Sequence, residues 1–520
     1  MAAKQFIGGT GLGEWNTNAN WAGGAFATSV DTVTFAVTGN PLKVNVASAC
    51  ISIDFTGFTG TVDMAFGLAV TGVGCFVTLG AGMGAITGTG ILTISTGGNL
   101  TSNGKTWSTP LTLAGASQTY TLVDAWIVSG LFTFGGVSNN PQTINGSTIT
   151  CTANVTTING FGTVGGTGKL ILGGTTTWTA NAVQQITVGI AVDINSLGVV
   201  TISGVILKGA GAFTYVTASS LVTTGSTLTF NAALTISAGA SNTYNNVIFT
   251  NASGAPTYTM LTNMTLGGNL ALNSISNASI IVNGFKIFTA GNLTQSSGSG
   301  SYSGTTEFEI NGVASIWSLT AGGGFANNLI FNATSFTVSG AVTKSGGTIT
   351  YTAGTATTTS STLSVTGNTT FDTNGMSWNN ISPTGTRTIT INSLLTITGT
   401  WTCVAATTFA GTAGWTVNSW TCITAGVIVT FVNGKTYTLS GGSMTNVGTA
   451  ASKVLFTSDH AVTKAILTLV GVTEANVYLS GTRMDSSLGG TVWTVGGVLT
   501  TTINWNLLTA PATVSSGFVN

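Results

Sequence analysis

The stretch that decides the fold is residues 387–392, Arg-Thr-Ile-Thr-Ile-Asn, in which apolar and hydroxyl side chains alternate. The same alternation occurs in residues 90–95, Gly-Ile-Leu-Thr-Ile-Ser, and 226–230, Ser-Thr-Leu-Thr-Phe. A period of two is typical of a β-strand with one face in the core, and the Gly-Gly, Asn-Gly and Ser-Gly pairs between such stretches allow sharp turns. Helical spacing of apolar residues is nearly missing, so the sequence predicts an all-β chain.

Short phrases recur along the chain and indicate stacked repeats. Residues 245–249, Asn-Asn-Val-Ile-Phe, return as Asn-Asn-Leu-Ile-Phe at 327–331 and more faintly as Asn-Asn-Ile at 379–381. These offsets fit whole numbers of coils of roughly 26 residues. Thr and Val suit the pleated ladders of such coils, Asn can form ladders between coils, and Gly fits the corners. We therefore predict an elongated parallel β-helix, or β-solenoid, with capped ends.

The two ends of the chain differ from its middle, which predicts three sections. Residues 1–36 carry Trp15 and Trp21 and are predicted to form an N-terminal cap or attachment segment. Residues 37–425 are predicted to form the β-solenoid body. Charged residues become more frequent in residues 426–520, which are predicted to form a β-rich terminal section. An array of immunoglobulin-like domains is the main alternative, and the absence of a period of about 90 to 100 residues disfavours it.

The charge content limits the classes of function. Twelve Lys and Arg residues balance twelve Asp and Glu residues, and charged residues make up 5% of the chain, far below the roughly 25% of an average soluble domain. A neutral chain offers no electrostatic footprint to nucleic acid, so we predict no nucleic-acid binding. Every apolar run is interrupted before the roughly 18 residues of a membrane-spanning helix, so no membrane span is predicted.

Export signals and cysteine spacing add further expectations. Glycine interrupts residues 1–13, so they do not form the apolar run of a secretory signal. The cysteines are odd in number and lack CxxC spacing, which predicts neither a zinc site nor a full disulfide framework. We expect buried, small apolar side chains and leave open whether any of them pair. The five cysteines are Cys50, Cys75, Cys151, Cys403 and Cys422.

Paired carboxylates are the candidate for catalysis. Glu307 and Glu309 lie two positions apart in Thr-Glu-Phe-Glu-Ile, hence on one face of a strand and about 6.5 to 7 Å apart. That distance is near the lower end of the separations of about 6.5 to 9.5 Å in inverting glycosidases. The alternative is that Phe308 and Ile310 face the core while the two glutamates solubilise the outer face.

Aromatic and histidine residues provide the other candidates. Trp401, Trp415 and Trp420 are the candidate ligand-binding residues, because aromatic faces stack on sugars; packing in the core or at a coil end is the alternative. Asp459 and the single histidine, His460, form either an acid, base or metal-ligand pair or a polar turn. The sequence predicts no metal site and no cofactor, and it favours a non-enzymatic role.

Several segments carry a resemblance to known proteins. They are residues 13–21 with their two tryptophans, Asp-Thr-Val-Thr-Phe at 31–35, Cys-Ile-Ser-Ile-Asp-Phe-Thr-Gly-Phe-Thr-Gly-Thr at 50–61, Thr-Phe-Val-Asn-Gly-Lys-Thr-Tyr-Thr-Leu at 430–439 and Ile-Asn-Trp at 503–505. Together they resemble β-helix virion proteins of tailed bacteriophages. The middle of the chain resembles these proteins only in its general Gly- and Thr-rich β-strand character.

The resemblance implies a virion structural protein, a fibre, spike or surface appendage for host-surface attachment or particle decoration. It implies a homotrimer in contact with other virion proteins, with cell-surface carbohydrate as the candidate ligand, made in the host cytoplasm and released by lysis. Position on the particle, at the tail or the head, stays open. Two alternatives remain: a polysaccharide-depolymerising spike that uses Glu307 and Glu309, and a bacterial extracellular adhesin or filament subunit.

Overall fold

The computed structural model shows a chain of short strands joined by tight corners. It describes the residues 2–8, 13–35, 39–135, 141–157, 163–180, 187–251, 254–274, 280–296, 302–319, 324–373, 375–441, 443–446, 448–449, 451–460, 463–470, 475–476, 479–482, 484–485, 493–495, 499–500 and 505–507. The predicted sections 1–36 and 426–520 therefore fall partly outside the described residues, and both section boundaries stay predictions.

Within the described residues, the regular elements are one short 3-10 helix, Asn18–Asn20, and the strands β1 to β64. In chain order the strands are Ala2–Phe6, Gly13–Glu14, Asp31–Phe35, Leu42–Lys43, Ser48–Cys50, Ser52–Asp54, Val62–Met64, Leu68–Val70, Cys75–Thr78, Ile86–Gly88, Leu92–Ile94, Gly98–Thr101, Thr106–Trp107, Leu111–Leu113, Thr119–Leu122, Trp126–Val128, Phe132–Phe134, Gln142–Gly146, Thr148–Cys151, Val155–Thr157, Thr163–Gly165, Lys169–Leu172, Thr176–Ala180, Thr187–Val188, Ala191–Asn195, Val199–Ser203, Val205–Lys208, Phe213–Thr217, Ser220–Val222, Thr227–Phe230, Leu234–Ser237, Thr243–Tyr244, Asn246–Asn251, Thr257–Met260, Met264–Leu266, Leu270–Ser274, Ile280–Gly284, Ile287–Thr289, Leu293–Ser296, Tyr302–Ser303, Phe308–Ile310, Ser315–Leu319, Leu329–Ser339, Ala341–Lys344, Gly347–Thr357, Thr362–Val365, Thr369–Asp372, Ser377–Trp378, Asn380–Pro383, Arg387–Ile391, Leu395–Cys403, Thr407–Gly411, Trp415–Cys422, Ile428–Phe431, Thr436–Leu439, Met444–Asn446, Val454–Ser458, Ala465–Leu469, Ala475–Asn476, Leu479–Thr482, Met484–Asp485, Trp493–Val495, Leu499–Thr500 and Trp505–Leu507.

The chain divides into two compact units, and the first comprises residues 1–250 and 256–265. In this unit every third strand pairs in parallel, so that about three strands make one coil. Strand β11 pairs with β8 and β14, β12 pairs with β9 and β15, and β13 pairs with β16. Parallel pairing of successive coils is the arrangement of a β-solenoid, which confirms the predicted fold class.

The second unit comprises residues 251–255 and 266–520 and has the same parallel stacking. Strand β50 pairs with β47 and β52, while β51 pairs with β49 and β53. Several coils here use longer strands, such as Leu329–Ser339 and Gly347–Thr357, which pair with each other across irregularities in register. Each unit is therefore a β-solenoid in its own right.

The coils vary in length around the roughly 26 residues predicted from the recurring phrases, and Thr436 lies opposite Ile466, 30 positions later. Cys75 lies opposite Gly98, 23 positions later, whereas Arg387 lies opposite Thr407, 20 positions later. The spacing of the recurring Asn-Asn phrases does not give the length of a single coil, because the coil length varies along the chain. A fixed period could not be read from offsets that span several coils of unequal length.

Inward-facing residues of each coil form the core, as the alternating pattern requires. Leu92 and Ile94 in β11 are buried, and Thr93 between them points outward. In the first coil, Trp15 and Trp21 are buried and pack edge to face, with 5.0 Å between ring centroids. The Trp21 ring also meets the ring of Phe6 at 5.3 Å, so aromatic packing fills this coil.

Asparagine side chains link successive coils by hydrogen bonds to the backbone. The Oδ1 atom of Asn145 accepts from the backbone N–H of Thr167 at 3.2 Å, and Asn380 accepts from Thr400 at 2.8 Å. These bonds give backbone N–H groups an acceptor on the preceding coil, both at corners, as for Thr167, and within strands, as for Thr400. The same bridge joins Asn154 to Thr177, Asn269 to Asn292, Asn283 to Thr305, Asn292 to Ile316, Asn328 to Thr348, and Asn368 to Thr388.

Candidate functional site

The structure brings the two candidate glutamates together around one lysine. The ammonium nitrogen of Lys286 lies 3.3 Å from Glu307 Oε2 and 3.4 Å from Glu309 Oε2. Asn332 Nδ2 donates to the other carboxylate oxygen of Glu309 at 2.9 Å. Phe308 is buried between the two glutamates in sequence, so the carboxylates share the opposite face of the strand, as the alternation predicts.

The carboxylate pair is already engaged by a charged and a polar neighbour, Lys286 and Asn332. Lys286 places one positive charge against both carboxylates, and Glu309 is only 8% exposed. An inverting glycosidase leaves room for a water molecule between its two carboxyl groups, whereas here the ammonium of Lys286 contacts both carboxylates. The contacts therefore describe an ion cluster that joins neighbouring coils. Catalysis by Glu307 and Glu309 stays a prediction without further support from this geometry.

The three candidate tryptophans lie inside the second unit. Trp401 and Trp420 face each other in register on β51 and β53, with ring centroids 6.0 Å apart and nearly parallel planes. Trp415 stacks on Trp420 at 5.7 Å, and all three side chains are at most 2% exposed. Rings at this depth present no face to a sugar at the surface. The arrangement is the core packing that the sequence offered as the alternative.

The Asp459 and His460 pair lies in an exposed polar turn. Asp459 Oδ1 accepts hydrogen bonds from the backbone N–H of Asn433 at 2.7 Å and from its side-chain amide at 3.1 Å. His460 Nδ1 accepts from the backbone N–H of Thr463 at 3.1 Å. Asp459 thus links its turn to Asn433 on the preceding coil, while His460 bonds a backbone group of its own turn. The glycine-rich stretch around Gly8 falls mostly outside the described residues.

Two lysines are fully buried, one in each unit, and the sequence reasoning did not identify them. Lys208 ends β27, and its Nζ donates to the carbonyl oxygens of Gly209, Ala210 and Gly211 at 2.6 to 3.1 Å. Gly211 adopts a positive φ of 80°, which only glycine tolerates easily and which curls the corner carbonyls toward the ammonium. The Lys208 side chain therefore satisfies the carbonyl groups of the corner that follows its own strand.

Lys344 repeats this arrangement at the end of β44. Its Nζ donates to the carbonyl oxygens of Phe325, Asn327 and Gly346 and lies 5.3 Å from the centroid of the Phe325 ring. Burial lowers the pKa of Lys344 to about 7, and burial lowers the pKa of Lys208 likewise to about 7. The alternation of the sequence does indicate this position, since each lysine lies two residues after a buried apolar side chain, Ile206 or Val342.

The five cysteines are buried, as the sequence predicts, and all are free thiols. Cys403 and Cys422 lie directly opposite each other on β51 and β53. Interaction with the Cys422 thiol, together with burial, raises the pKa of Cys403, whereas the Cys403 thiol lowers the pKa of Cys422. Their in-register positions on neighbouring parallel strands place the two side chains next to each other on the same face.

Hydroxyl side chains follow one another along the outward-facing positions of the sheets. Ser377, Thr396, Thr416 and Thr438 occupy one row across successive coils of the second unit, each paired in register with the next. All four are partly exposed. Because outward positions on neighbouring coils lie about 4.8 Å apart, such a row is a regular, uncharged line of hydrogen-bonding groups.

A shallow groove lies on the outer surface of the first unit, beside strands β8 and β11. Two exposed apolar side chains form its most accessible part, Phe66 at 52% and Ile91 at 45% exposure. Hydroxyl groups of Ser48, Thr89 and Thr93 also line it. All of its lining residues are uncharged, so the groove suits a neutral molecule with apolar and hydroxyl groups.

Comparison with other proteins adds no family to these observations. The chain matches no protein-family model, no curated protein and no solved structure. Within the described residues, no helix has the length and apolar character needed to cross a membrane. In the same part of the chain, no three His, Cys, Asp or Glu side chains are grouped as ligands for a metal ion.

Proposed function

We propose that this chain is a structural protein of a virus particle, a β-solenoid appendage that serves host-surface attachment or particle decoration. The observation that carries the proposal is the outer surface of the stacked parallel sheets, where hydroxyl rows replace charges. Only 5% of the residues are charged. The resemblance of residues 13–21, 31–35, 50–61 and 430–439 to phage β-helix proteins supplies the viral part of the proposal.

A neutral outer surface supports contact with neutral partners. The groove at Phe66 and Ile91 offers an exposed aromatic ring beside three hydroxyl-bearing residues, which matches the apolar face and hydroxyl groups of a sugar. Exposed apolar residues on an almost uncharged chain also favour burial against sister subunits. We therefore include assembly as a homotrimer, with cell-surface carbohydrate as the ligand class.

The direct test locates the chain on particles. Purified particles from the producing culture are labelled with gold-conjugated antibody against the chain and imaged by electron microscopy. We expect label at symmetric positions on virions: a tail position supports attachment and a capsid position supports decoration. Label on cell-attached filaments without capsids would overturn the viral proposal in favour of an adhesin. Sedimentation equilibrium tests the trimer, which has three times the chain mass of 52.1 kDa.

A binding experiment tests the groove. Fluorescent chain is added to host cells, and the Phe66→Ala variant is compared with Phe285→Ala, which removes a ring of similar exposure, 56%, in the other unit. We expect Phe66→Ala to weaken binding by about fivefold to tenfold, the usual value of one aromatic contact, and Phe285→Ala to bind like wild type. Equal binding by all three proteins would remove the groove from the proposal.

A further inference from the structure

Cys403 and Cys422 end two strands that stack on each other in the second unit. The register places Trp401 opposite Trp420, Thr402 opposite Thr421 and Cys403 opposite Cys422. Neighbouring parallel strands lie about 4.8 Å apart, and side chains in register point to the same face. That spacing is within the range of about 4.4 to 6.8 Å that disulfide-linked Cα atoms adopt.

The two thiols also have matching surroundings. Cys403 Sγ donates to the carbonyl oxygen of Ala405 at 3.2 Å, and Cys422 Sγ donates to that of Thr424 at 3.5 Å, in each case two residues further along the chain. Equivalent bonds on consecutive coils give the two side chains a similar direction. Each cysteine is the last residue of its strand, where the corner that follows can adjust more readily than a strand centre.

We propose that Cys403 and Cys422 are a modification site, at which a small disulfide compound oxidises the two thiols to a disulfide that links successive coils. The inference is independent of the proposed function. If the chain does act outside the cell, release from a reducing cytoplasm into oxidising surroundings would close the link.

The chemistry is two thiol–disulfide exchanges. The thiolate of one cysteine attacks a sulfur of the small disulfide, forms a mixed disulfide and releases one small thiolate, which takes up a proton. The second cysteine thiolate then attacks the protein sulfur of the mixed disulfide and releases the second small thiol. Two protein thiols are oxidised and one small disulfide is reduced to two thiols. Cys422 is the first nucleophile, because it borders the exposed corner residue Ile423.

The other cysteines provide an internal comparison. Cys50 lies opposite Val70, Cys75 lies opposite Gly98, and Cys151 lies opposite Leu172. Their register partners carry no sulfur that could complete a second exchange; Cys75 contributes to the raised pKa of Cys50, but the strand register does not place these two cysteines opposite each other. The proposal therefore predicts one specific pairing out of the ten that five cysteines allow.

The test treats the folded, reduced chain with cystamine at pH 8, followed by acid quenching, thiol counting in denaturant and peptide mass mapping. We expect the count to fall from five thiols to three, with a 403–422 peptide link and no retained cysteamine. Cys151→Ser should form the same link and keep two thiols. Cys422→Ser and Cys403→Ser, checked for wild-type circular dichroism, should form no link.

Three outcomes would overturn the proposal. They are five remaining thiols after prolonged treatment of the folded chain, stable cysteamine adducts on both Cys403 and Cys422, and links that involve Cys50, Cys75 or Cys151. If one serine variant fails to fold, the other still supplies the unlinked control. Peptide mapping of the wild-type protein decides the pairing without either variant.

Discussion

The buried lysines make the stability of each unit depend on pH. Lys344 is fully buried, and burial lowers its pKa from 10.5 to about 7. The contacts to its ammonium come from three backbone carbonyls and the Phe325 ring. The carbonyls favour the ammonium, which can donate to all three, whereas a neutral amine has only two N–H groups. Burial acts in the opposite sense, and the net effect on the pKa is downward.

The sign and size of the effect follow from proton linkage. A lysine with a lower pKa in the folded state binds fewer protons there than in the unfolded chain, so the free energy of unfolding increases as pH rises from about 7 toward 10.5. Between pH 6.5 and 8.0, a folded pKa of about 7 gives a gain of about 1.2 kcal/mol per lysine. Above pH 8, cysteine ionisation in the unfolded chain opposes the gain, because burial raises the pKa of Cys50 to about 12.

The assay is urea denaturation at pH 6.5, 7.0, 7.5 and 8.0 and constant ionic strength, followed by tryptophan fluorescence. Lys344→Met keeps the length of the side chain but cannot titrate, so we expect its unit to lose the gain of about 1.2 kcal/mol across this range. Lys208→Met is the matched variant in the other unit. A wild-type stability that does not change with pH would refute the reasoning, and so would an equal pH slope in wild type and both variants. Either result would mean that the carbonyl acceptors keep the pKa of the ammonium near its ordinary value.

Three further predictions test the packing and the links between coils by the free energy of unfolding in urea. Trp420→Ala should cost about 3 to 5 kcal/mol, because a buried ring between two others is lost, while Trp420→Phe should cost less; equal costs would contradict the stacking argument. Asn380→Ala should cost about 1 kcal/mol by leaving the Thr400 N–H without its acceptor, and a neutral effect would exclude that bond as a stabilising contact. Lys286→Met should lower the free energy of unfolding by about 1 kcal/mol, because it leaves the Glu309 carboxylate without its positive partner. The double variant Lys286→Met/Glu309→Gln should regain most of that stability. A double variant as unstable as Lys286→Met would argue against the ion cluster.

The alternation of residue types was sufficient to predict the fold class. In 388–391, threonine and isoleucine alternate, and the structure buries Ile389 and Ile391 in the core. Parallel stacking followed from the recurring phrases, because repeats that cannot bury a face alone must stack. Coil length did not follow, since it depends on how many residues each corner uses. Corners made of Gly, Ser, Thr and Asn have similar composition at different lengths.

The candidate sites were harder to predict because they depend on contacts between coils. Period two placed Glu307 and Glu309 on one face, but Lys286 is about one coil away in sequence and its position could not be derived without the coil length. Trp401 and Trp420 look alike in the sequence whether they point inward or outward. The alternation of their strands places Lys208 and Lys344 on the inward face, where both are buried. The sequence reasoning did not identify them because it treated charged side chains as exposed.

The asparagine bridges explain how a regular stack arises from an irregular repeat. Asn368 reaches the N–H of Thr388, 20 positions later, while Asn292 reaches that of Ile316, 24 positions later. Each bridge needs only an amide side chain on one coil and an N–H on the coil that follows, so the corners between them can gain or lose residues at a small entropic cost. The stacking is fixed by short contacts while the coil length varies. Few outward-facing side chains are needed for these hydrogen bonds between coils. The outer surface can therefore carry rows of hydroxyl groups in place of charges.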